Sequence, residues 1–265
     1  MKKKKSARKA GTQKAESGTR TWLNIAIAAG IVALLFVIPA VSGLLFREEP
    51  EETTRIPEEV EPAAPDVQLR EPEIRSLSAQ TYDLGEGITL TEILAVTGDY
   101  PEDGTSEERE NALCVRIHNG SDRTLEYLTA GVGCGETEYT FAVSTLFPGE
   151  TVLAWDKTGQ SAPSEAEEIR VTPGYRVFFR EEPSLPDNLH VGVENGSLSV
   201  TNVSDTDITG DFFVYYKNRL NGEYLGGITY RVRVSGGLKA GETYSAYAAN
   251  SSKARTKVLF ADDAS

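Results

Sequence analysis

The 265-residue chain has little of what most active sites and most helical folds require. Only two cysteines, Cys114 and Cys134, and two histidines, His118 and His190, are present. None has ligand-like spacing, which argues against a cysteine–histidine metal centre. The sequence contains no G-x-S-x-G, no H-E-x-x-H, no phosphate-cradling glycine loop and no dinucleotide fingerprint, so no motif points to catalysis and no cofactor is expected. After residue 46 no segment sustains a 3.6-residue apolar period long enough for a packed helix. Positive charge is also scarce overall: the formal net charge is −13, and an acidic exterior repels nucleic-acid phosphate. Carboxylates are plentiful, but in stretches such as Glu102–Glu110 and Glu165–Glu168 solvated loop charge is the ordinary explanation. Nothing selects a glycosidase-like pair among them.

One absence is itself a signal, because Trp22–Phe46 holds no charged residue. At about 1.5 Å per residue such a helix reaches about 37 Å, enough to cross a hydrocarbon core of about 30 Å with some tilt. Pro39 falls in its last third, where a kink can absorb the missing donor. A cleaved signal peptide is the alternative, since Ala40-Val41-Ser42 fits a small-x-small site. The apolar run continues to Phe46, however, and exceeds a signal core in length. Residues 1–21 carry eight basic residues against Glu16, a net of +7, which leaves −20 for the rest of the chain. Flanking Lys and Arg stay on the cytoplasmic side. The expectation is therefore a single-pass protein of the cell membrane, anchored in lipid through Trp22–Phe46. Its basic tail (1–21) lies inside, able to contact anionic headgroups, and its acidic bulk outside.

From residue 47 to about 78 the chain is acidic and rich in proline (Pro50, Pro57, Pro62, Pro65, Pro72). Such a segment buries too little apolar surface to offset its ordering entropy and favours extension, so it reads as a stalk. The remainder is long enough for two small domains, 79–182 and 183–265. Ile88–Val96, Leu113–His118, Tyr139–Leu146, Thr151–Trp155, Tyr175–Phe179, Leu189–Val193, Phe212–Tyr216 and Ile228–Val234 are short, rich in β-branched and aromatic residues, and separated by turn residues. That spacing predicts an all-β fold of two tandem sandwiches.

An internal repeat supports the division. Asn119-Gly120-Ser121-Asp122 is matched by Asn202-Val203-Ser204-Asp205, and Leu146-Phe147-Pro148-Gly149-Glu150-Thr151 by Leu238-Lys239-Ala240-Gly241-Glu242-Thr243. The asparagine-to-glycine interval is 30 residues in the first copy and 39 in the second, which predicts a longer second hairpin, placed at Asn218–Glu223. Duplication of one sandwich unit accounts for both copies.

Phe213-Val214-Tyr215-Tyr216-Lys217, with the flanking Asn202-Val203-Ser204 and Leu238–Thr243, resembles the F-x-L-Y-D signature of FxLYD-type domains, with Tyr and Lys in place of Leu and Asp. The likeness covers about 70 residues of the second copy. The first copy has Ala130-Gly131-Val132-Gly133-Cys134 at that place. The resemblance implies an immunoglobulin-like sandwich on exported bacterial proteins without known catalysis, and it carries no functional residue over. In that light the Asn-x-Ser sites at Asn119, Asn195, Asn202 and Asn250 read as turn chemistry rather than glycan acceptors.

Strand alternation puts Phe213 and Tyr215 on one face and Phe212, Val214 and Tyr216 on the other. Two readings follow. Both rows are covered by packing, or Phe212, Phe213, Tyr215, Tyr216, Tyr224 and Tyr230 contribute an aromatic surface for protein or glycan contact. Cys114 and Cys134 form a disulfide if Leu113–His118 and Leu128–Cys134 are adjacent antiparallel strands in register, and stay free if the register slips by one. Asp205-x-Asp207-x-x-Gly210-Asp211 has the opening of a calcium loop but Tyr216 where a bidentate Glu is needed, so a self-bonded turn is expected there. The function these features point to is non-catalytic contact with an envelope protein. Ligand or glycan sensing and surface hydrolysis stand as second and third alternatives.

Overall fold

The computed structural model describes residues 71–104, 107–164 and 168–263. All lie in one compact unit, Val60–Ser265. The expected anchor at Trp22–Phe46 and the basic tail fall outside the described residues. Among the described residues no helix is long and apolar enough to cross a membrane.

Every regular element among the described residues is a strand. The first eight are β1 (Glu73–Ser78), β2 (Tyr82–Gly85), β3 (Ile88–Asp99), β4 (Glu108–Asn119), β5 (Leu125–Cys134), β6 (Thr137–Leu146), β7 (Thr151–Trp155) and β8 (Ile169–Phe178). The rest are β9 (Leu189–Glu194), β10 (Ser197–Asn202), β11 (Phe212–Leu220), β12 (Glu223–Val234), β13 (Thr243–Tyr247) and β14 (Thr256–Asp263). Composition assigns Glu73–Ser78 to the stalk. Instead it forms β1 on the edge of β3, where Arg75 donates to Ser164 O (3.0 Å), Pro163 O (3.1 Å) and Asn111 Oδ1 (3.2 Å).

Strand pairing occurs twice in the same order. In the first set β3 pairs with β4, β4 with β7, and β5 with both β6 and β8. In the second, β9 pairs with β10, β10 with β13, and β11 with both β12 and β14. The asparagine landmarks hold equivalent places in both copies. Asn119 Nδ2 donates to Arg123 O (2.9 Å) and Leu146 O (2.7 Å), and its Oδ1 accepts from Ser121 N (3.0 Å). Asn202 does the same with Thr206 O (2.8 Å), Leu238 O (3.1 Å) and Ser204 N (3.0 Å). Each side chain is fully buried and ties the turn to the strand opposite, so no orphan carbonyl remains there.

Residues alternate along each strand, and the faces they bury define three apolar clusters. The first fills the space between β3-β4-β7 and β6-β5-β8 with residues such as Ile93, Val115, Ile117, Leu128, Phe141 and Val152. The second joins β11 and β12 to β10 through Leu198, Val200, Val214, Tyr216 and Val232. The third lies on the far face of β3, β4 and β7 and contains Leu94, Val96, Cys114, Leu153, Trp155 and Leu225. Leu225 belongs to the second copy. Its presence beside Trp155 shows that the two sets share more than a covalent link.

Candidate functional site

The junction between the sets is the most unusual chemical environment in the described residues. All nine extra residues of the second copy lie between Ile208 and Leu238, because the flanking intervals match those of the first copy. They lengthen the β11–β12 hairpin, and its tip reaches β7. Tyr224 and Leu225 pair in parallel with Val152 and Leu153, joining β1-β3-β4-β7-β12-β11-β14 into one sheet. Tyr224 is buried in the first cluster and Leu225 in the third, so one dipeptide fills a gap on each face of the sheet.

Beyond Leu225 the strand turns at Gly226 (φ 91°), a conformation that suits glycine. It then passes β6 so closely that a Cβ on Gly227 would lie 2.0 Å from Ala142 O. Edge pairing stops there, and side chains take over the backbone groups. Glu102, from the loop after β3, accepts from Gly227 N (2.6 Å) and Trp155 N (3.1 Å) through Oε1 and from Ile228 N (3.1 Å) through Oε2. Lys217, on β11, donates to Ser144 O (2.7 Å) and Gly227 O (3.0 Å). Thr229 Oγ1 donates to Ser144 O (3.0 Å), and the Tyr230 hydroxyl donates to Pro101 O.

Lys217 is completely buried. Loss of water pulls its ammonium down to about 7, opposed by the negative charge of Glu102. Burial likewise pushes the Glu102 carboxyl up, opposed by its N–H donors and by Lys217. Each charge therefore depends on the other and on a cage of backbone dipoles. This arrangement can hold β6, β7 and β12 in one geometry. Both charged groups are spent on backbone partners.

The outer rim of the junction is accessible. A groove of about 450 Å³ is lined by Ile74, Arg116, Leu153, Asn221, Glu223 and Leu225, among others. Arg116 spans it, with Nε 2.8 Å and Nη2 3.2 Å from the Glu223 carboxylate and Nη1 on Glu92, and its guanidinium pKa is raised by these partners. Farther round, Glu150 receives Arg219 (3.0 Å) and Lys257 (3.1 Å), with both cations over the Tyr224 ring.

The aromatic residues singled out in the sequence do not form one exposed patch. Phe212, Tyr216, Tyr224 and Tyr230 are buried. Phe213 and Tyr215 occupy the outward row, with Tyr215 stacked on Phe260 at 4.3 Å and Arg231 over Phe213 at 4.3 Å. Cys114 and Cys134 are both buried and are not joined by a disulfide. The adjacency a disulfide needs is missing, because β4 pairs with β3 and β7 whereas β5 pairs with β6 and β8. Cys114 faces the third cluster and Cys134 the first. In the aspartate-rich turn, Asp207 accepts from Ala240 N (2.9 Å) and Asp211 from Gly236 N (2.6 Å). His118 Nδ1 lies 3.1 Å from Thr151 Oγ1.

Sequence reasoning missed both Glu102 and Lys217. The first sits in an acidic loop read as solvated. The second has a visible signal, a lysine closing the aromatic run Phe212–Tyr216, where a buried strand tolerates charge only with partners. No protein-family model matches the chain, and no curated protein matches it in sequence.

Proposed function

We propose that the chain is a single-pass, membrane-anchored display protein. Its Trp22–Phe46 segment lies in the bilayer, and its two sandwiches, immunoglobulin-like and duplicated, stand outside the cell on an acidic stalk. Their role is non-catalytic contact with another protein of the envelope. The observation that carries this reading is the junction: a shared sheet, an interdigitated Tyr224–Leu225 pair and a caged Glu102–Lys217 pair hold the two sets rigidly. Rigid presentation of surface is useful to a scaffold and costs a hinge-closing enzyme its motion. The likeness of Phe213–Lys217 and its flanking turns to FxLYD-type domains points the same way. The groove beside Arg116 and Glu223 favours a second reading, in which the outer rim of the junction recognises a small ligand or glycan.

The test is photo-crosslinking from introduced residues in intact cells, combined with protease added from outside. The reading expects degradation of the part beyond residue 71 without cell lysis, and a discrete cross-linked protein. Protection of that part from protease, or turnover of a substrate that depends on Glu102 or Glu223, refutes it.

A further inference from the structure

The internal repeat makes β13 the second-copy counterpart of β7: Gly149-Glu150-Thr151 leads into one and Gly241-Glu242-Thr243 into the other. The two strands are treated differently. β7 lies between β4 on one side and β12 on the other. Among the described residues β13 pairs with β10 alone and ends its sheet, so no described strand lies beside the backbone groups of its outer edge.

Terminal strands usually carry devices that stop foreign strands from adding, such as charge, proline or a bulge. β1 has Glu73, Arg75 and a register shift. β14 has Lys257, Asp262 and Asp263. β8 has Arg170, Pro173 and Arg176, and β9 ends in Glu194. On β6 the outer groups of Thr140 are already taken, its N–H by Asp156 Oδ1 (2.9 Å) and its carbonyl by Lys157 N (2.9 Å). β13, Thr243-Tyr244-Ser245-Ala246-Tyr247, has none of these. Its last residue, Tyr247, is 74% exposed.

We infer that the outer edge of β13 is a docking site for an extended strand of a partner protein, added parallel to β13 as β12 is added to β7. This rests on the display reading above and names the surface it uses. The side chains of β13 specify the occupant. Tyr244 and Ala246 point toward the second cluster, while Thr243, Ser245 and Tyr247 are exposed. The incoming strand therefore alternates apolar residues facing inward with polar ones facing out. Its charge is neutral or basic, because residues 71–265 hold 31 acidic against 16 basic side chains, a net of −15. The same repulsion disfavours a second copy of this chain. In addition, the one hairpin a copy would insert in this way already lies on its own β7.

The test uses the full chain in detergent micelles and, as probe, a synthetic peptide of the β12 sequence, Glu223–Val234, which alternates in the required way and is net basic. Amide exchange at 243–247 is expected to slow at least tenfold with this peptide and to stay unchanged with a scrambled one. A spin label at the peptide's N-terminus is expected to broaden Thr243 more than Tyr247. Ser245→Lys, or Tyr247→Lys should the first misfold, is expected to abolish the protection. Equal protection by the scrambled peptide, protection only elsewhere, or antiparallel broadening overturns the inference. So does protection of 243–247 by concentration-dependent self-association without peptide. An in-cell cross-link made through another face removes the β13 site and leaves the display reading standing, whereas loss of outside exposure removes both.

Discussion

Replacing Glu102 by alanine tests whether the junction is held as described. Three backbone N–H groups, of Trp155, Gly227 and Ile228, lose their acceptor, and Lys217 loses the counter-charge that supports its buried ammonium. Hydrogen bonds to charged groups contribute about 1.5–3 kcal/mol each, and removing the desolvation of the carboxylate returns several kcal/mol. The net expectation is a loss of about 3–5 kcal/mol, the range seen when one member of a buried ion pair is removed. Glu102→Gln keeps an oxygen for Trp155 and Gly227 but turns an amide toward Ile228 N–H, and is expected to cost about 2 kcal/mol. Unfolding by urea, followed through Trp155 in a Trp22→Phe background so that one tryptophan reports, measures both. Lys217→Met in the Glu102→Gln background removes the buried amine left without its counter-charge, so the double variant is expected to be at least about 1 kcal/mol more stable than the sum of the singles. A cost below about 1 kcal/mol for Glu102→Ala, or strict additivity with Lys217→Met, refutes the reasoning.

Stability should rise with pH through one window set by Lys217. Its native proton is lost near pH 7 while the unfolded chain holds it to 10.5, so between these values the unfolded state binds more protons and unfolding becomes harder, by up to about 1.4 kcal/mol per pH unit. Glu102, raised from 4.5, acts in the opposite direction at lower pH, where stability is lost as pH climbs through its native value. Denaturation curves from pH 7 to 9.5 should lose their upward slope in Lys217→Met. Gly227→Ala is expected to cost about 3 kcal/mol through its 2.0 Å approach to Ala142 O, whereas Gly222→Ala, with open space around it, costs about 1 kcal/mol for its φ of 90° alone; thermal unfolding separates them. Asn119→Ala and Asn202→Ala should each destabilise by about 2–4 kcal/mol and add when combined, since equivalent clasps lie in separate sets; urea unfolding free energies of the two variants that differ by more than about 2 kcal/mol contradict the equivalence. Iodoacetamide should label neither Cys114 nor Cys134 in the native protein and both after unfolding, with gel mobility unaffected by reductant.

How much of this was legible in the sequence depended on how local the signal was. Seven of the eight expected strand segments lie within observed strands, Thr151–Trp155 coinciding with β7, and Tyr175–Phe179 overruns the end of β8 by one residue. None of the eight covers β1, β2, β5, β10, β13 or β14. Glu73–Ser78 and Thr243–Tyr247 carry too few apolar residues for alternation to show, and they become strands because an edge is present to receive them. The repeated asparagine turns and the longer second hairpin were legible because both are contiguous in the chain. Alternation also separated Phe212, Val214 and Tyr216 from Phe213 and Tyr215 correctly, but it could not say what covers the outward row, where Phe260 comes from a distant strand. The same limit hid the junction. Glu102 and Lys217 are 115 residues apart, and a carboxylate destined for three buried N–H groups looks locally like any other in an acidic loop.

The unequal hairpins explain why the two sets of strands join on one side only. A six-strand set of this order leaves an outer strand open at the side, β7 in the first copy and β13 in the second, and an open edge invites association. Lengthening β11–β12 closes the first of these by intramolecular pairing. The geometry of that closure then dictates the rest: a strand that must pair with β7 and return to β11 has to swing past β6, which requires glycine at 226 and 227 and strands the amides of Gly227 and Ile228. Buried amides without partners are costly, so a carboxylate at 102 is the consequence of the bend, and a buried carboxylate in turn calls for the cation at 217. The charged pair thus follows from a topological problem in the fold. β13 follows the other branch of the same logic. No hairpin among the described residues reaches it, so its edge is left for a strand that arrives from outside.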